Sequence, residues 1–533
     1  MIVPRRRYDD LVSGFRWEVP GEFNFGALVD AWATDRSRVA LYWEDERGRR
    51  ERLTFWDVKE ASNRCMNALA GLGLGRGEPL LVMLPRLPAW QVTMVGGLKL
   101  GALVVPCTAS LRAKDIAYRV RHSGARAIVT TVEQVPEVEA ALASGLDVPI
   151  RVAIGGAPAG WHDYEQVLAR ARPTGTPART AAAEPALCYY TSGTTREPKA
   201  VLHAHAYTFA HRYTGEHWLD LTRADLHWTT ADTGWAKAAY GVLFGPWMNG
   251  TAVFMYHGHF DPERELELIE RNEISVLCAA PTEYRLLVKE TLSRWRLPRL
   301  RHCVAAGEAL NPEVIHAWHD AFGVMIHDGY GQTESALLAA NLPGLPIRAG
   351  SMGKPFPGHD VRVIDAHGAD CPAGEVGDLA LRGTTPALFL EYWKDPEATA
   401  ASRRGEWYVT GDRAFRDEDG YLWFVGRADD VIISAGYRIG PFEVESALLE
   451  HPAVVESAVV ASPDADRGDI VKAFVVLRAG YAPDDALVRE LQEHVKRTTA
   501  PYKYPRAIAF VDALPKTVSG KIRRVELRER ERR

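Results

Sequence analysis

The sequence predicts an α/β protein: a large N-terminal domain of layered α/β subdomains plus a β-rich subdomain, followed by a small C-terminal α+β domain. Three observations predict it. Helix-like and strand-like segments alternate through the first four hundred residues. After about residue 358 the pattern turns to hairpin strands separated by Gly turns. The stretch from about 429 to 533 carries a strand and helix pattern of its own. A chain of 533 residues is too long for one ordinary core, so at least two domains are expected, divided as 1–428 and 429–533.

Thr54-Phe55-Trp56-Asp57 reads as a capping box. Val58, Ala61, Cys65, Leu69 and Leu72 follow at helical spacing, and Gly71 and Gly73 end that helix. PLLVML (79–84), ALVVPC (102–107) and RAIVTT (126–131) are short apolar runs between polar or turn residues. They read as buried strands of a largely parallel sheet. VRVIDAHG, GDLALRG and GYLWFVG predict the hairpin strands of the β-rich part. In the last segment VESAVVAS and KAFVVLRA read as strands and DDALVRELQEHVKR as an amphipathic helix. Pro441 suits the first turn of another helix.

The formal net charge is −5, with acidic and basic residues interspersed, which argues against a nucleic-acid partner. Cys65, Cys107, Cys188, Cys278, Cys303 and Cys371 are far apart and form no CxxC pair. Buried free thiols fit them better than zinc ligands or a disulfide framework. Arg5 to Arg7 precede no apolar run, so no signal peptide is read. Arg86, Gln91 and Lys99 interrupt the most apolar region, about 80–107, which argues against a membrane span. The expectation is a soluble cytoplasmic protein; the oligomeric state is open.

The strongest local signal is ALCYYTSGTTREPKAVLH (186–203). A strand-like run ends in Thr191-Ser192-Gly193-Thr194-Thr195, with Lys199 following. Small hydroxyl residues and Gly let backbone N–H groups approach phosphate oxygens, and Lys adds positive charge. A Ser/Thr-rich surface turn is common, but here hydroxyls, Gly, Pro198 and Lys199 are concentrated directly after a strand. The Walker A spacing is absent, which disfavours a P-loop kinase.

TSGTTREPK resembles the phosphate loop of the adenylate-forming superfamily, which includes acyl-CoA synthetases, luciferases and peptide-synthetase adenylation domains. Arg196 and Ala200 stand where that pattern usually has Gly. Further motifs follow in the family's order: AAGEAL (305–310), DGYGQTES (328–335), YVTGDRAF (408–415), FVGRADDVIISAGYRIGPFEVE (424–445) and LPKTVSGKIRR (514–524). The resemblance implies that Thr191, Ser192, Gly193, Thr194, Thr195 and Lys199 hold the triphosphate. It implies that Gly307, Glu308 and Ala309 lie by the base, and that Asp328, Gly329, Tyr330, Gly331, Gln332 and Thr333 line the nucleotide. Glu334 would bind Mg²⁺, Asp412 the ribose hydroxyls, and Arg427 ribose or phosphate. Lys521 would be the catalytic lysine, with Thr333 and Glu334 beside it in the catalytic set. Asp429 would be the hinge of a mobile small domain, and Ala435, Gly436, Tyr437 and Arg438 would face the pantetheine tunnel. Arg467, Lys496 and Arg506 would meet the nucleotide of coenzyme A, by similarity to medium-chain acyl-CoA synthetases.

The implied reaction is ligation of a carboxylic acid to coenzyme A, driven by ATP and passing through an acyl-adenylate. DTGWAKAAYGVLFGPW (232–247) resembles the acyl-pocket segment, with Trp235, Ala239, Tyr240, Gly241 and Phe244 as its wall. Gly331 stands where acetate-specific relatives carry Trp, which implies an acid longer than acetate: medium-chain or branched aliphatic, or aromatic. Three other readings compete. An amino-acid-adenylating enzyme would use Asp232 for the amino group, but DTGW is itself an acyl-CoA synthetase feature and no carrier domain follows. A luciferase-like oxygenase has no positive support. A non-catalytic acyl- or nucleotide-binding relative predicts loss of Lys521, Asp412, Arg427 or Glu334, and all four are present.

Overall fold

The computed structural model describes residues 8–191, 197–434, 437–464, 468–516 and 522–532. The chain forms two compact units. The first comprises Met1–Gly307, Trp318–Pro346 and Thr384–Ala400; the second comprises Glu308–Ala317, Ile347–Gly383 and Ala401–Arg533.

The first unit is built on two sheets. In one, the strands run Glu391–Tyr392, Ala200–Ala204, Pro185–Tyr190, Leu103–Pro106, Pro79–Met83, Ala127–Thr131, Ile150–Ile154 and His162–Asp163. It is parallel from Pro185–Tyr190 onward and antiparallel at the end carrying Ala200–Ala204. The three apolar runs noted above are its centre, buried almost throughout because helices cover both faces. The other sheet runs Leu337–Ala340, Ile326–Gly331, His302–Ala306, Val276–Ala279, Leu226–Thr229, Ala252–His257, Val39–Asp45 and Arg50–Thr54.

The capping box forms as read. Thr54 accepts from the Asp57 N–H, Asp57 accepts from the Thr54 N–H, and the helix runs Phe55–Gly71. The helix Pro88–Leu100 packs against it and is buried on nearly every side, which explains its apolar composition. Lys99, at its end, is fully buried and donates to Asp30 at 2.6 Å and Asn63 at 2.7 Å. A charge inside an apolar run is thus paired within the core.

The second unit has an antiparallel sheet of Val361–Ile364, Gly377–Arg382, Trp407–Arg416 and Arg403–Arg404, with Leu422–Arg427 beside Trp407–Arg416. Its C-terminal sheet runs Tyr437–Ile439, Ile432–Ser434, Gly468–Leu477 and Val454–Asp464, with Ala507–Phe510 parallel to Gly468–Leu477. Helix Pro441–Leu449 begins at its proline, and helix Asp485–Thr498 is capped by Asp484. Leu487, Leu491 and Val495 form the buried stripe of the latter. The expected α/β class with a C-terminal α+β part is therefore the observed one. No described helix is long and apolar enough to cross a membrane. All six cysteines are free and buried, and burial pushes Cys65 up to about 12 and Cys107 to about 11. Such thiols are poor nucleophiles and metal ligands.

Candidate active site

Antiparallel pairing of Pro185–Tyr190 with Ala200–Ala204 folds the phosphate-loop motif into the connection between them. Its base is closed by the Thr191 N–H, which donates to the Lys199 carbonyl at 2.9 Å. Ser192, Gly193, Thr194 and Thr195 lie outside the described residues. Lys199 directs its ammonium over the ring of Tyr392, 4.6 Å from the centroid. The Tyr392 hydroxyl donates to Glu334 Oε1 at 2.7 Å. One aromatic residue thus links the loop lysine to the expected metal-binding carboxylate.

Tyr392 was not a sequence candidate. It sits on a two-residue strand paired with Ala200–Ala204, too short to leave a periodic signal. His203 was missed as well. Its Nε2–H donates to the Thr333 carbonyl at 2.7 Å, and its ring stacks on Tyr207 at 3.8 Å. Burial pulls the His203 pKa down to about 3, so the imidazole is neutral and keeps this donor role. Phe389 N–H donates to the Glu334 carbonyl at 2.7 Å, and Gln332 N–H to Ser335 Oγ at 3.2 Å. The Gln332-Thr333-Glu334 turn is therefore fixed from three directions.

Asp328, Gly329, Tyr330 and Gly331 lie on the strand Ile326–Gly331, which turns back into Leu337–Ala340. Asp328 is buried, and its Oδ1 accepts from the Gly329 N–H at 2.9 Å. Gly331 has a packing duty beyond lacking a side chain: a Cβ there would lie 2.6 Å from the Ala336 carbonyl oxygen. Gly307 follows strand His302–Ala306 with φ +106°, while Glu308 and Ala309 belong to the second unit.

Trp235 caps the short helix Ala236–Ala238, and Ala239–Leu243 continues it as a π turn. Ala239, Gly241 and Phe244 are buried, and Trp235 and Tyr240 half-buried. Gly234 has no room for a Cβ against the Thr108 backbone. Asp232 Oδ1 accepts from the Gly234 N–H at 2.9 Å, so this carboxylate shapes the turn.

In the second unit, Asp412 and Arg427 are register partners on neighbouring strands. Arg427 Nε lies 3.2 Å from Asp412 Oδ1, with Asp412 buried and Arg427 half-exposed. Asp429 is 3.7 Å from Arg528 Nη2, and Arg528 also pairs with Asp430. Tyr437 is exposed and stacks on Tyr502 at 4.4 Å. Lys496 and Arg506 both lie over Tyr504, at 4.3 and 4.8 Å, and Arg506 also donates to its hydroxyl at 2.8 Å. Arg438 lies on the strand Tyr437–Ile439. Ala435, Gly436, Arg467 and Lys521 lie outside the described residues. Arg524, the last residue of the LPKTVSGKIRR motif, to which no role was assigned from sequence, donates to both oxygens of the buried Glu445 at 3.0 and 2.6 Å.

Among the described residues no group of three or more His, Cys, Asp or Glu is placed to hold a metal ion. One carboxylate suits Mg²⁺, which takes few protein ligands and completes its shell from phosphate oxygens and water. The half-buried Glu334, oriented by Tyr392, fits that requirement.

Comparison with known proteins gives the family. The AMP-binding enzyme family model matches residues 28–393, and the model of the AMP-binding enzyme C-terminal domain matches residues 443–521. Acyl-coenzyme A synthetase ACSM3, mitochondrial, of Mus musculus is 42% identical over 98% of this chain and 93% of its own length. The uncharacterized acyl–CoA ligase YtcI of Bacillus subtilis is 46% identical over 96% and 97%. Among solved structures, the anthranilate CoA ligase AuaEII in complex with anthranoyl-AMP is 33% identical, with a TM-score of 0.89 over 96% of this chain and 98% of that one. A benzoate CoA ligase from Burkholderia xenovorans LB400 is 31% identical, with a TM-score of 0.84 over 95% and 100%.

The fold and motifs define an adenylate-forming enzyme, an ATP-dependent, AMP-forming acyl-CoA ligase using ATP, Mg²⁺ and coenzyme A. The chain belongs to the AMP-binding enzyme family, in both its large part and its C-terminal domain.

Proposed function

We propose that this ligase acts on a medium-chain or branched aliphatic acid, with an aromatic acid as the alternative. The observation that carries this reading is Gly331, directly before Gln332-Thr333-Glu334, where the resemblance puts the pocket-closing Trp of acetate-specific relatives; with Gly there, the floor of a pocket walled by Trp235, Tyr240 and Phe244 would stay open. The named activities of the anthranilate and benzoate ligases support the aromatic alternative. A panel of acids of increasing length tests it, read as acid-dependent pyrophosphate release followed by thioester formation with coenzyme A. Longer or aromatic acids should exceed acetate at least tenfold in kcat/KM, about 1.4 kcal/mol of discrimination; a preference for acetate overturns the reading.

In the first half-reaction a carboxylate oxygen bonds to the α-phosphorus of ATP and pyrophosphate leaves. Both reactants are anions, so positioning and positive charge must overcome their repulsion. Residues 191–195 and Lys199 hold the triphosphate, Asp412 and Arg427 the ribose, and Lys521 the oxygens between acid and α-phosphate. Mg²⁺ bound by Glu334 and the phosphates would neutralise charge on the leaving pyrophosphate. In the second half-reaction the thiol of coenzyme A gives up its proton, sulfur bonds to the acyl carbon, and AMP leaves. Lys521 must vacate the site first, and a division at 428/429 with Asp429 as pivot provides that motion. Tyr437, Arg438, Lys496 and Arg506, with Ala435, Gly436 and Arg467, form the surface for coenzyme A. A cytoplasmic location is part of this reading.

A further inference from the structure

One helix and the turn that continues it carry, besides His205 Nδ1, three side chains whose buried polar atoms have no partner among the described residues. His205–Tyr213 runs directly into the π turn Thr214–Trp218. Within it, both ring nitrogens of His211, the Thr214 hydroxyl and the Trp218 indole nitrogen are buried and unpartnered. All three side chains are almost completely enclosed. Their spacing, three and seven residues on from His211, puts them on one helix face. Buried polar atoms are nearly always hydrogen-bonded, so a row of exceptions on one face calls for a ligand.

That face meets the expected acyl-pocket wall. The His211 ring lies 6.2 Å from Phe244, nearly parallel, and 6.1 Å from Tyr240. Trp218 meets the same Tyr240 ring at 5.9 Å. The π turn Thr214–Trp218 packs against the π turn Ala239–Leu243, and such single-turn widenings recur at functional sites. His203, on the strand that precedes this helix, differs: its Nε2 is engaged by Thr333. Burial keeps His211 neutral, with its pKa pulled down to about 3. Its ring therefore offers one donor and one acceptor, Thr214 offers both, and Trp218 is a donor only.

We propose that His211, Thr214 and Trp218 recognise a hydrogen-bonding substituent on the acyl part of the acid, a hydroxyl, amino or carbonyl group away from the carboxylate. The preferred substrate is then a substituted acid and not a plain hydrocarbon acid. This rests on the assignment of Trp235 to Phe244 as the acyl-pocket wall.

The test uses the full-length enzyme and matched acids: benzoate against its monohydroxy and monoamino derivatives, and hexanoate against hydroxyhexanoates with the hydroxyl at successive carbons. Acid-dependent pyrophosphate release is measured for each. At least one substituted acid should exceed its parent roughly tenfold or more in kcat/KM, because a site built for a polar group rejects the analogue lacking it. H211F keeps an aromatic ring and removes both nitrogens. It should cut that advantage to within about threefold, and W218F, which removes only the indole N–H, should reduce it less. Equal rates for every parent and its derivatives in the wild type overturn the proposal, as does an equal loss on both members of a pair in H211F. Should H211F fail to fold, the wild-type ratio and W218F decide. If no acid releases pyrophosphate, the ligase reading fails as well; release that ignores the substituent removes this proposal alone.

Discussion

Tyr392 donates its hydroxyl to Glu334 Oε1 at 2.7 Å while its ring lies under the ammonium of Lys199, 4.6 Å from the centroid. Lys199 and Glu334, the residues proposed to meet the triphosphate and Mg²⁺, are thereby linked by one side chain that belongs to neither motif. A hydrogen bond to a charged group is worth about 1.5–3 kcal/mol. Y392F should raise the Mg²⁺ concentration for half-maximal adenylation by roughly tenfold or more, with less effect on the KM for the acid. A Mg²⁺ titration of acid-dependent pyrophosphate release checks this; an unchanged midpoint contradicts it.

Gly331 is constrained by backbone as well as by substrate, since a Cβ would approach the Ala336 carbonyl oxygen to 2.6 Å. The sequence alone suggests G331W as a way to shift preference toward short acids. The structure predicts a more general outcome, because any side chain displaces the turn before Gln332. G331A should destabilise the first unit by about 1–3 kcal/mol and lower the rate with every acid, with no gain on acetate. Thermal melting and the acid panel together check it; a fully stable G331A with altered chain-length preference contradicts it.

Four buried histidines of the first unit make its stability depend on pH. Burial pulls His203 and His211 down to about 3, and His205 and His227 to about 4. Each lies below the unfolded value of about 6.5, so below that pH the unfolded chain binds protons the folded chain refuses. The stability each contributes is complete above about 6.5 and falls as pH drops toward the folded values, by up to about 1.4 kcal/mol per pH unit per histidine. Proton uptake on denaturation at about pH 5 should approach one per buried histidine, and H205Q should lower it by about one. Uptake that H205Q leaves unchanged contradicts the assignment.

Much of this was legible in the sequence where chemistry and local structure coincide. The Thr54–Asp57 capping box, the apolar parallel strands and the helix start at Pro441 each follow from a short-range rule. The phosphate-loop motif could be singled out because it occupies consecutive positions, whereas the pairing of Asp412 with Arg427 joins two separate motifs and appears only in the fold. Tyr392 and His203 act across the fold, through one side-chain hydrogen bond each, and no local pattern marks them; Arg524 ends the LPKTVSGKIRR motif, but its partner Glu445 is distant in sequence. The π turns at Thr214–Trp218 and Ala239–Leu243 were hidden for a related reason. The two segments meet each other only in the folded chain, a contact that local propensity does not encode.

Lys521 is proposed to stabilise charge in the adenylation step and to be dispensable for thiol attack. Both half-reactions can be measured on K521A: pyrophosphate release from ATP and acid, and thioester formation from supplied acyl-adenylate and coenzyme A. A loss of roughly a hundredfold or more is expected in the first, with the second largely retained. Adenylation at the wild-type rate, or an equal loss in both steps, would contradict it.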